Sequence, residues 1–462
     1  YPELNIKMAY SINRAIIVRI IGKDIIFDEE MRQNIDKEMH RIVDAHYELE
    51  RIVYSKEQTQ KEFEKLGYTD KAAIIYYKPE KTVHLNRCNG YLNYIYGKTV
   101  VNTKYLGKFE LNLYNKGILL RYPRSEFGGE LPEFKKEDKY QETLDRAYKW
   151  ARAIKAENIA DINEHVKNNY DTVNFVHVCE AKHNAYLTYL ADEISNRLDE
   201  IKLIAIAGPS SSGKTTFSNR LRIQLYTKGI KTVKVSIDDY YLDRDDLPKT
   251  EDGKIDLESI DIIDIKRFND DLTRLIKGEK VQLPSFNFKT GKREKGHEMQ
   301  IEPGTPIIIE GIHALNEQLT NSIKRKNKYK IYIAPHVQAN IDNLSPIRST
   351  DLRLLRRIVR DNTFRGYNAE DTIALWENVR QGEFKWIYVN QDDVDFVFNS
   401  DLVYEVNVMK KHALPLLQQI GEDSPYRPTA MELIKFLEYY SDIDDDLVPC
   451  NSLLREFIGG SC

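Results

Sequence analysis

Cysteine, net charge and long apolar runs are all scarce in this chain of 462 residues. Its four cysteines lie far apart with no C-x-x-C pair, which predicts reduced thiols in a cytoplasmic protein. The formal net charge is only −4, so the charge balance argues against binding to nucleic acid or to anionic membranes. No apolar run approaches the roughly 20 residues that span a bilayer, and the N-terminus lacks the layout of a secretory signal. We therefore expect no membrane contact.

The length predicts two or three domains, because a chain of this size exceeds one ordinary core. Residues 1–125 read as mixed α/β, with a helix expected over 29–51, and 126–200 as a linker followed by a helical segment. Residues 201–420 read as an α/β domain, with a late strand over 402–406. Residues 421–462 read as a helical tail that Gly459 and Gly460 keep flexible.

The most informative stretch is an apolar strand-like run, Leu203 to Ala207, followed by GPSSSGKT and an amphipathic helix. Strand, glycine-bounded loop and helix are the order that a phosphate-binding P-loop requires. The residues that we expect to bind the phosphates are Gly208, Ser210, Ser211, Ser212, Gly213, Lys214, Thr215 and Thr216. Lys214 would reach the β- and γ-phosphates of ATP and Thr215 would ligate Mg²⁺. A serine-rich turn that matches by coincidence is the alternative, which the flanking strand and helix disfavour.

Two further strand-like runs deliver carboxylates. Residues 231–237 lead into Asp238 and Asp239, and residues 306–311 end in Glu310 and Gly311. Open α/β sheets place their ligands at the carboxyl ends of strands. Asp238 could there accept a proton from an attacking hydroxyl and approach Mg²⁺, and Glu310 fits a second metal-binding acid. For Asp238 and Asp239 the alternative is the start of a solvated loop.

Five arginines then recur in one predicted helix, LRLLRRIVRDNTFRG. They are Arg353, Arg356, Arg357, Arg360 and Arg365. Arg353, Arg357 and Arg360 fall close to one face, with Arg365 at the helix exit. Such a helix could close over the phosphates and stabilise the transferring charge. An exposed helix paired with acids is the alternative.

Together these pieces resemble the uridine kinase and phosphoribulokinase family. The matching motifs, in family order, are GPSSSGKTT (208–216), SIDDYY (236–241), LPSFNFKTGKR (283–293), IIIEGIHAL (307–315) and LRRIVRDNTFRG (354–366). The resemblance implies a P-loop kinase with a doubly wound, mostly parallel sheet that uses ATP and Mg²⁺. It implies that Asp238 is the general base for a sugar 5′-hydroxyl. Tyr241, Phe286 and Phe288 would line the nucleoside pocket, and Arg357, Arg360 and Arg365 would bind the phosphates.

The chain departs from the family pattern at the acceptor. Where uridine kinases carry a base-reading histidine in a T-H-S-R segment, this chain has Thr290-Gly291-Lys292-Arg293. Glycine has no side chain that could hydrogen-bond a pyrimidine. The family's second lid arginine is replaced by Tyr367. The acceptor is therefore open between a nucleoside, a phosphorylated sugar and another small hydroxyl metabolite.

The segment RCNGYLNYIYGKTVVNTKYLGKFEL (87–111) resembles the second accessory domain of threonyl-tRNA synthetases. That domain hydrolyses mischarged tRNA with a Cys-x-x-x-His pair and a His-x-x-x-His pair. Ile95 and Thr99 stand where the first pair is expected, and no His-x-x-x-His occurs before Tyr122. The resemblance therefore implies a scaffold without editing activity. An RNA-associated regulatory protein stays as an alternative, and the oligomeric state is open, a homo-oligomer included.

One compact group of metal-binding residue types occurs, at His177, Cys179 and His183. Cys179 and His183 share a helix face at i and i+4, a spacing that can hold a metal. Because no fourth ligand follows, we interpret the group as ordinary helix packing.

Overall fold

The computed structural model describes the chain except residues 98, 249–255, 257, 288–289 and 392. The strands are β1 (Asn5–Ile12), β2 (Ala15–Ile21), β3 (Glu50–Ser55), β4 (Thr82–Cys88), β5 (Tyr91–Asn93), β6 (Glu110–Tyr114), β7 (Gly117–Arg121), β8 (Leu203–Ala207), β9 (Val233–Ser236), β10 (Val281–Asn287), β11 (Lys292–Met299), β12 (Ile307–Glu310), β13 (Lys328–Ala334), β14 (Asn340–Asp342), β15 (Ser345–Pro346) and β16 (Phe396–Asn399). The helices are α1 (Glu29–Asp44), α2 (Lys56–Lys65), α3 (Thr69–Tyr77), α4 (Asp138–Ala153), α5 (Ile159–Glu164), α6 (Asn169–Ser195), α7 (Lys214–Thr227), α8 (Ile265–Ile276), α9 (Ser349–Arg365), α10 (Ala369–Gly382), α11 (Glu405–Gln418), α12 (Arg427–Glu438) and α13 (Arg455–Ile458).

The central sheet has five parallel strands in the order β16-β13-β8-β12-β9. Its side chains alternate between two cores: Ile204 and Ile206 of β8 pack on one face, and Leu203 and Ala205 on the other. Burial on both faces explains why β8 is apolar throughout and β12 is apolar up to its last residue, Glu310, as in other parallel sheets. The expected α/β class with a mostly parallel sheet is confirmed.

The N-terminal part contains two small antiparallel sheets. One has the order β1-β2-β7-β6 and packs against α1; the other, β3-β4-β5, packs against α2 and α3. The helix expected over 29–51 is too long, because it ends at Asp44 and Arg51 already lies in β3. His46 has a φ of +54°, a left-handed conformation that a continuing helix does not allow.

Buried polar contacts join this N-terminal part to the segment around β14 and to α12. Lys71 of α3 forms an ion pair of 2.9 Å with Asp342, and both side chains are almost fully buried. The phenol oxygens of Tyr94 and Tyr439 are 2.6 Å apart. Since losing one partner of a buried ion pair is costly, these contacts hold the N-terminal part in one orientation.

The C-terminal region differs from the sequence-based expectation in three ways. The strand expected over 402–406 is wrong: these residues form a turn and the start of α11, and the last strand is β16. The apolar residues 402, 406, 409, 413 and 417 recur at helical spacing and face the core. The tail expected to be flexible is packed instead, with Leu454 and Phe457 fully buried. Cys450 and Cys462 form a disulfide, so the expectation of reduced thiols is wrong for this pair.

His183 lies in the buried part of the long helix α6. The helical segment expected within 126–200 includes α6, which ends at Ser195 and is followed by a turn. The ring nitrogen Nε2 of His183 lies 3.0 Å from the carbonyl oxygen of Asp401, and burial lowers the pKa of the imidazole to about 3. This neutral histidine ties α6 to Asp401, two residues beyond the end of β16. None of the helices in the described ranges combines the length and the apolar character that a membrane span requires.

Candidate active site

The loop between β8 and α7 wraps closely against neighbouring backbone. A Cβ atom on Gly208 would lie 1.9 Å from the carbonyl oxygen of Ile333, so no other residue fits without moving the adjacent strand. Gly213 has a φ of +88°, and a Cβ there would lie 2.5 Å from a methyl carbon of Leu453. The two glycines therefore set the turn and the close approach of the loop, as a phosphate-binding loop requires.

The loop contains two buried hydroxyls without partners in the described part of the chain and one ammonium that bonds to loop carbonyls. The hydroxyls of Ser211 and Ser212 are buried, and neither has a hydrogen-bond partner among the described residues. The ammonium of Lys214 donates to the carbonyl oxygens of Gly208 and Pro209 at 2.9 and 3.1 Å, and burial lowers its pKa. Unsatisfied hydroxyls, helix N-terminal amides and one cation fit the chemistry of a bound polyphosphate.

A carboxylate from the neighbouring strand reaches the same helix. Glu310 ends β12, and the hydroxyl of Thr215 donates to its Oε1 at 3.1 Å. Lys234 of β9 forms an ion pair with the same carboxylate. In the described part of the chain no three acidic, His or Cys side chains cluster as a metal site. Thr215 and Glu310 fit a Mg²⁺ site in which the protein supplies one or two ligands and phosphates and water supply the others.

Asp238 follows β9, the next strand of the sheet, and lies at the same edge. Tyr241 donates its phenol proton to Oδ1 of Asp238 at 2.9 Å. Asp238 is reached by solvent, yet the protein around it removes much of its hydration, and this desolvation raises the pKa of the carboxyl. The negative charge of Glu310 raises the pKa further. Asp238 is thus a stronger base than a free aspartate.

The expected acceptor side is partly present in the described residues. The rings of Tyr241 and Phe286 meet edge to face with centroids 5.5 Å apart, and the backbone N–H of Phe286 donates to Asp239. Phe288, the third aromatic residue expected here, lies outside the described residues. A Cβ on Gly291 would lie 2.3 Å from Cδ of Arg244. The arginine side chain therefore takes the space beside the position where the family's base-reading histidine is expected.

Three of the expected arginines are gathered by one buried acid. Asp361, whose side chain is 4% exposed, accepts ion pairs from Arg357 at 3.2 Å, Arg360 at 2.7 Å and Arg365 at 3.6 Å. Arg357 also donates to the hydroxyl of Ser210 in the loop at 2.9 Å. Three guanidinium groups around one carboxylate leave net positive charge beside the phosphate loop. The i, i+4 spacing of residues 357, 361 and 365 was a visible signal for this group that the sequence analysis missed.

The other two arginines of α9 are structural. Arg356 is fully buried and pairs with both carboxylate oxygens of Glu405 at 2.8 Å. Arg353 is paired with Glu383 and is also buried, although it lies close to the same helix face as Arg357. Arg353 also donates to the carbonyl oxygen of Ser210 in the loop, and Arg356 donates to that of Ser211. Held by these buried acids, the two arginines brace the backbone of the loop.

A contact from the C-terminus was invisible in the sequence. The backbone N–H of Thr216 donates to Oε2 of Glu456 at 2.9 Å. Glu456 lies 240 positions away in a segment with no recognisable motif, and only the fold brings it to the loop.

The residues at this edge of the sheet lie in a part of the chain that matches a known protein family. The model of the phosphoribulokinase / uridine kinase family matches residues 203–406, from the first residue of β8 into α11. A uridine kinase from Leuconostoc citreum is 30% identical over 171 residues, which cover 37% of this chain and 73% of the relative. One from Staphylococcus haemolyticus is 30% identical over 177 residues, 38% of this chain and 76% of the relative.

Among solved structures, D-glycerate 3-kinase from Cryptococcus neoformans is 17% identical and covers 62% of this chain and 87% of its own, with a TM-score of 0.23. That likeness is too weak to carry an argument. The family match includes every residue of the edge described above except Leu453 and Glu456, which lie beyond its end.

Proposed function

The chain belongs to the phosphoribulokinase and uridine kinase family, and we propose that it transfers the γ-phosphoryl group of ATP to a hydroxyl of a nucleoside. It is a phosphotransferase with an alcohol group as acceptor. One observation carries the finer proposal. The phosphate loop, Glu310 and Asp238 follow the adjacent strands β8, β12 and β9, so that nucleotide and acceptor would meet at one edge of the sheet.

Each group has a role in an in-line transfer. The loop hydroxyls, the amides of α7 and Lys214 hold the phosphates, and Asp238, with its raised pKa, accepts the proton of the attacking hydroxyl. Arg357, Arg360 and Arg365 stabilise charge on the transferring group. Thr215 and Glu310, with Asp238 nearby, would hold Mg²⁺, which neutralises charge on the β- and γ-phosphates when bound.

A phosphorylated sugar or another anionic hydroxyl metabolite is the second candidate acceptor, and Arg244 favours it. Its side chain packs over Gly291, at the position that reads the base in uridine kinases. Guanidinium groups bind phosphate and carboxylate with paired hydrogen bonds, whereas a histidine reads a pyrimidine edge. This replacement supports an acceptor that carries negative charge.

A screen of ADP release with nucleosides and with sugar phosphates separates the two candidates. We expect Lys214→Ala to abolish release with every acceptor. Arg244→Gln should raise KM about tenfold or more for an anionic acceptor and leave KM for a neutral nucleoside within about twofold. Release with neither class of acceptor, at saturating ATP and Mg²⁺, would contradict the proposed reaction.

For the N-terminal part we propose an accessory domain over residues 1–125 that lacks editing chemistry. Residues 126–200 then connect it to a catalytic domain over 201–420, and 421–462 complete the fold. Tyr94 and Tyr96 flank Ile95, one of the two altered editing positions, and both bond to α12 or the residue after it. These contacts support a docking role for this segment. Hydrolysis of a mischarged tRNA by the intact chain would contradict the proposed absence of editing chemistry.

A further inference from the structure

The last helical turn of the chain packs between the phosphate loop and the arginine helix. Leu453 contacts Gly213 of the loop. Phe457 is fully buried beneath the guanidinium of Arg356, whose carbon centre lies 5.0 Å from the ring centroid. The segment 452–460 therefore forms one wall of the proposed nucleotide site, although it lies outside the residues that match the family.

This wall is held by buried polar contacts. The hydroxyl of Ser452 donates to Glu180 of α6, and the phenol of Tyr404 donates to the same carboxylate at 2.7 Å. Arg455 donates to the backbone carbonyls of Asp445 and Val448 at 2.7 and 2.6 Å. Ser452 and Arg455 anchor the chain just before Glu456, and the buried ring of Phe457 anchors it just after, so the Glu456 side chain is presented to α7 in a defined position.

The first amides of α7 are the donors that a phosphate would use. Phe217 is the first residue of this helix whose N–H bonds back along the chain, to Gly213, so the amides of Lys214, Thr215 and Thr216 have no partner within the helix. Over the described residues, Thr216 is the one of these three whose amide has an acceptor, and that acceptor is the carboxylate of Glu456. An anion of the protein already occupies part of the anion-binding end of the helix.

We propose that Glu456 is an internal competitor of the nucleotide, whose carboxylate must leave the amide of Thr216 before a phosphate group can bind there. The inference rests on the proposed nucleotide site. A carboxylate and a phosphate repel each other at this distance, and only one of them can accept from the same N–H. The contact lowers the affinity for ATP and ADP and keeps the empty loop ordered.

The test compares nucleotide affinity in the full chain and in two variants. Glu456→Gln removes the charge but keeps an oxygen that can accept from Thr216, and Glu456→Ala removes both. We expect the Kd for Mg·ATP and for Mg·ADP, measured by titration, to fall about three- to tenfold in both variants. In the ADP-release assay the change should appear in KM for ATP and not in kcat. Glu422→Gln, which removes one charge at an exposed turn, is the matched control and should behave as the wild type.

Unchanged or weaker nucleotide binding in the folded variants would overturn the inference, because Glu456 would then be neutral toward the nucleotide or would support it. Glu456→Gln and Glu456→Ala both lose the charge, so if one variant fails to fold, nucleotide binding by the other still tests the inference. If the wild-type chain itself binds neither ATP nor ADP, the proposed function fails, and that result is distinct from a wild type that binds with an affinity insensitive to Glu456.

Discussion

The phenol of Tyr241 donates a hydrogen bond to Oδ1 of Asp238 across 2.9 Å, and its ring contacts Phe286. Asp238 and Tyr241 stand three positions apart: Asp238 lies in the 3-10 turn after β9, and Tyr241 ends that turn. The turn therefore orients the proposed base and at the same time starts the aromatic wall of the acceptor side. Since Oδ1 accepts the bond from Tyr241, Oδ2 is the oxygen that we propose takes the proton of the substrate hydroxyl.

Replacing Asp238 by Asn should remove the base while keeping the shape of the site. We expect turnover to fall by about 10²-fold or more. ATP affinity should be largely kept, since the phosphate loop is untouched. Steady-state ADP release and a nucleotide titration measure the two effects. Turnover near that of the wild type would remove Asp238 from the role of base.

The same substitution should change stability in a pH-dependent way. Desolvation raises the pKa of Asp238 above its usual 3.8, so the folded state disfavours the ionised carboxylate. The carboxyl therefore stabilises the fold most below its unfolded pKa and loses that contribution as pH rises through the folded pKa. Asp238→Asn should accordingly raise the melting temperature relative to the wild type near pH 7, with a smaller gain near pH 4. A gain that is equal at both pH values would contradict the raised pKa.

Lys214→Ala should lose ATP affinity and activity together. Its ammonium donates to the loop carbonyls of Gly208 and Pro209, from where it can turn to the phosphates. We expect binding of Mg·ATP to weaken by at least about tenfold. An unchanged titration would count against the loop as the phosphate site. Lys228→Ala, at the far end of α7, is a control of the same charge.

Two arginines of α9 should respond oppositely to truncation. Arg356→Leu leaves Glu405 buried without its partner, and we expect a loss of roughly 3–5 kcal/mol in the free energy of unfolding. Arg365 is half exposed and pairs loosely with Asp361. Arg365→Leu should leave the melting temperature within a few degrees and lower kcat, because it removes charge proposed to stabilise phosphoryl transfer. Chemical denaturation and steady-state kinetics on both variants measure the two effects. If Arg365→Leu destabilises the fold as much as Arg356→Leu, the separation into a structural and a phosphate-binding arginine is wrong.

The phosphate loop was predictable because its chemistry is local. Strand, glycines, lysine and helix start lie within 25 residues, and each is needed for a steric or electrostatic reason that holds in any fold. The positions of Asp238 and Glu310 at one edge of the sheet were predictable for a related reason. Each lies at the end of an apolar strand or just after it, and parallel strands align their carboxyl ends. The arginines were harder: five in one helix look alike in sequence, and the buried acids Glu383 and Glu405 decide which of them are structural.

The strand expected over 402–406 failed because a short apolar run has no periodicity that separates strand from helix. Its apolar positions continue at helical spacing as far as residue 417, beyond the window that suggested a strand. The prediction of a flexible tail was wrong for a different reason. Two adjacent glycines suggest freedom, but Leu454 and Phe457 just before them fill the core beside α9.

Taken alone, the order of residues determined the class of fold and the position of the phosphate loop, because alternating burial and loop chemistry act over a few neighbours. It also shows a glycine, Gly291, where the resemblance to uridine kinases predicts a base-reading histidine. Only the tertiary structure decided that Arg244 lies over Gly291 and that Glu456 bonds to Thr216. Those contacts join positions 47 and 240 residues apart, and the packing of whole helices and strands brings them together.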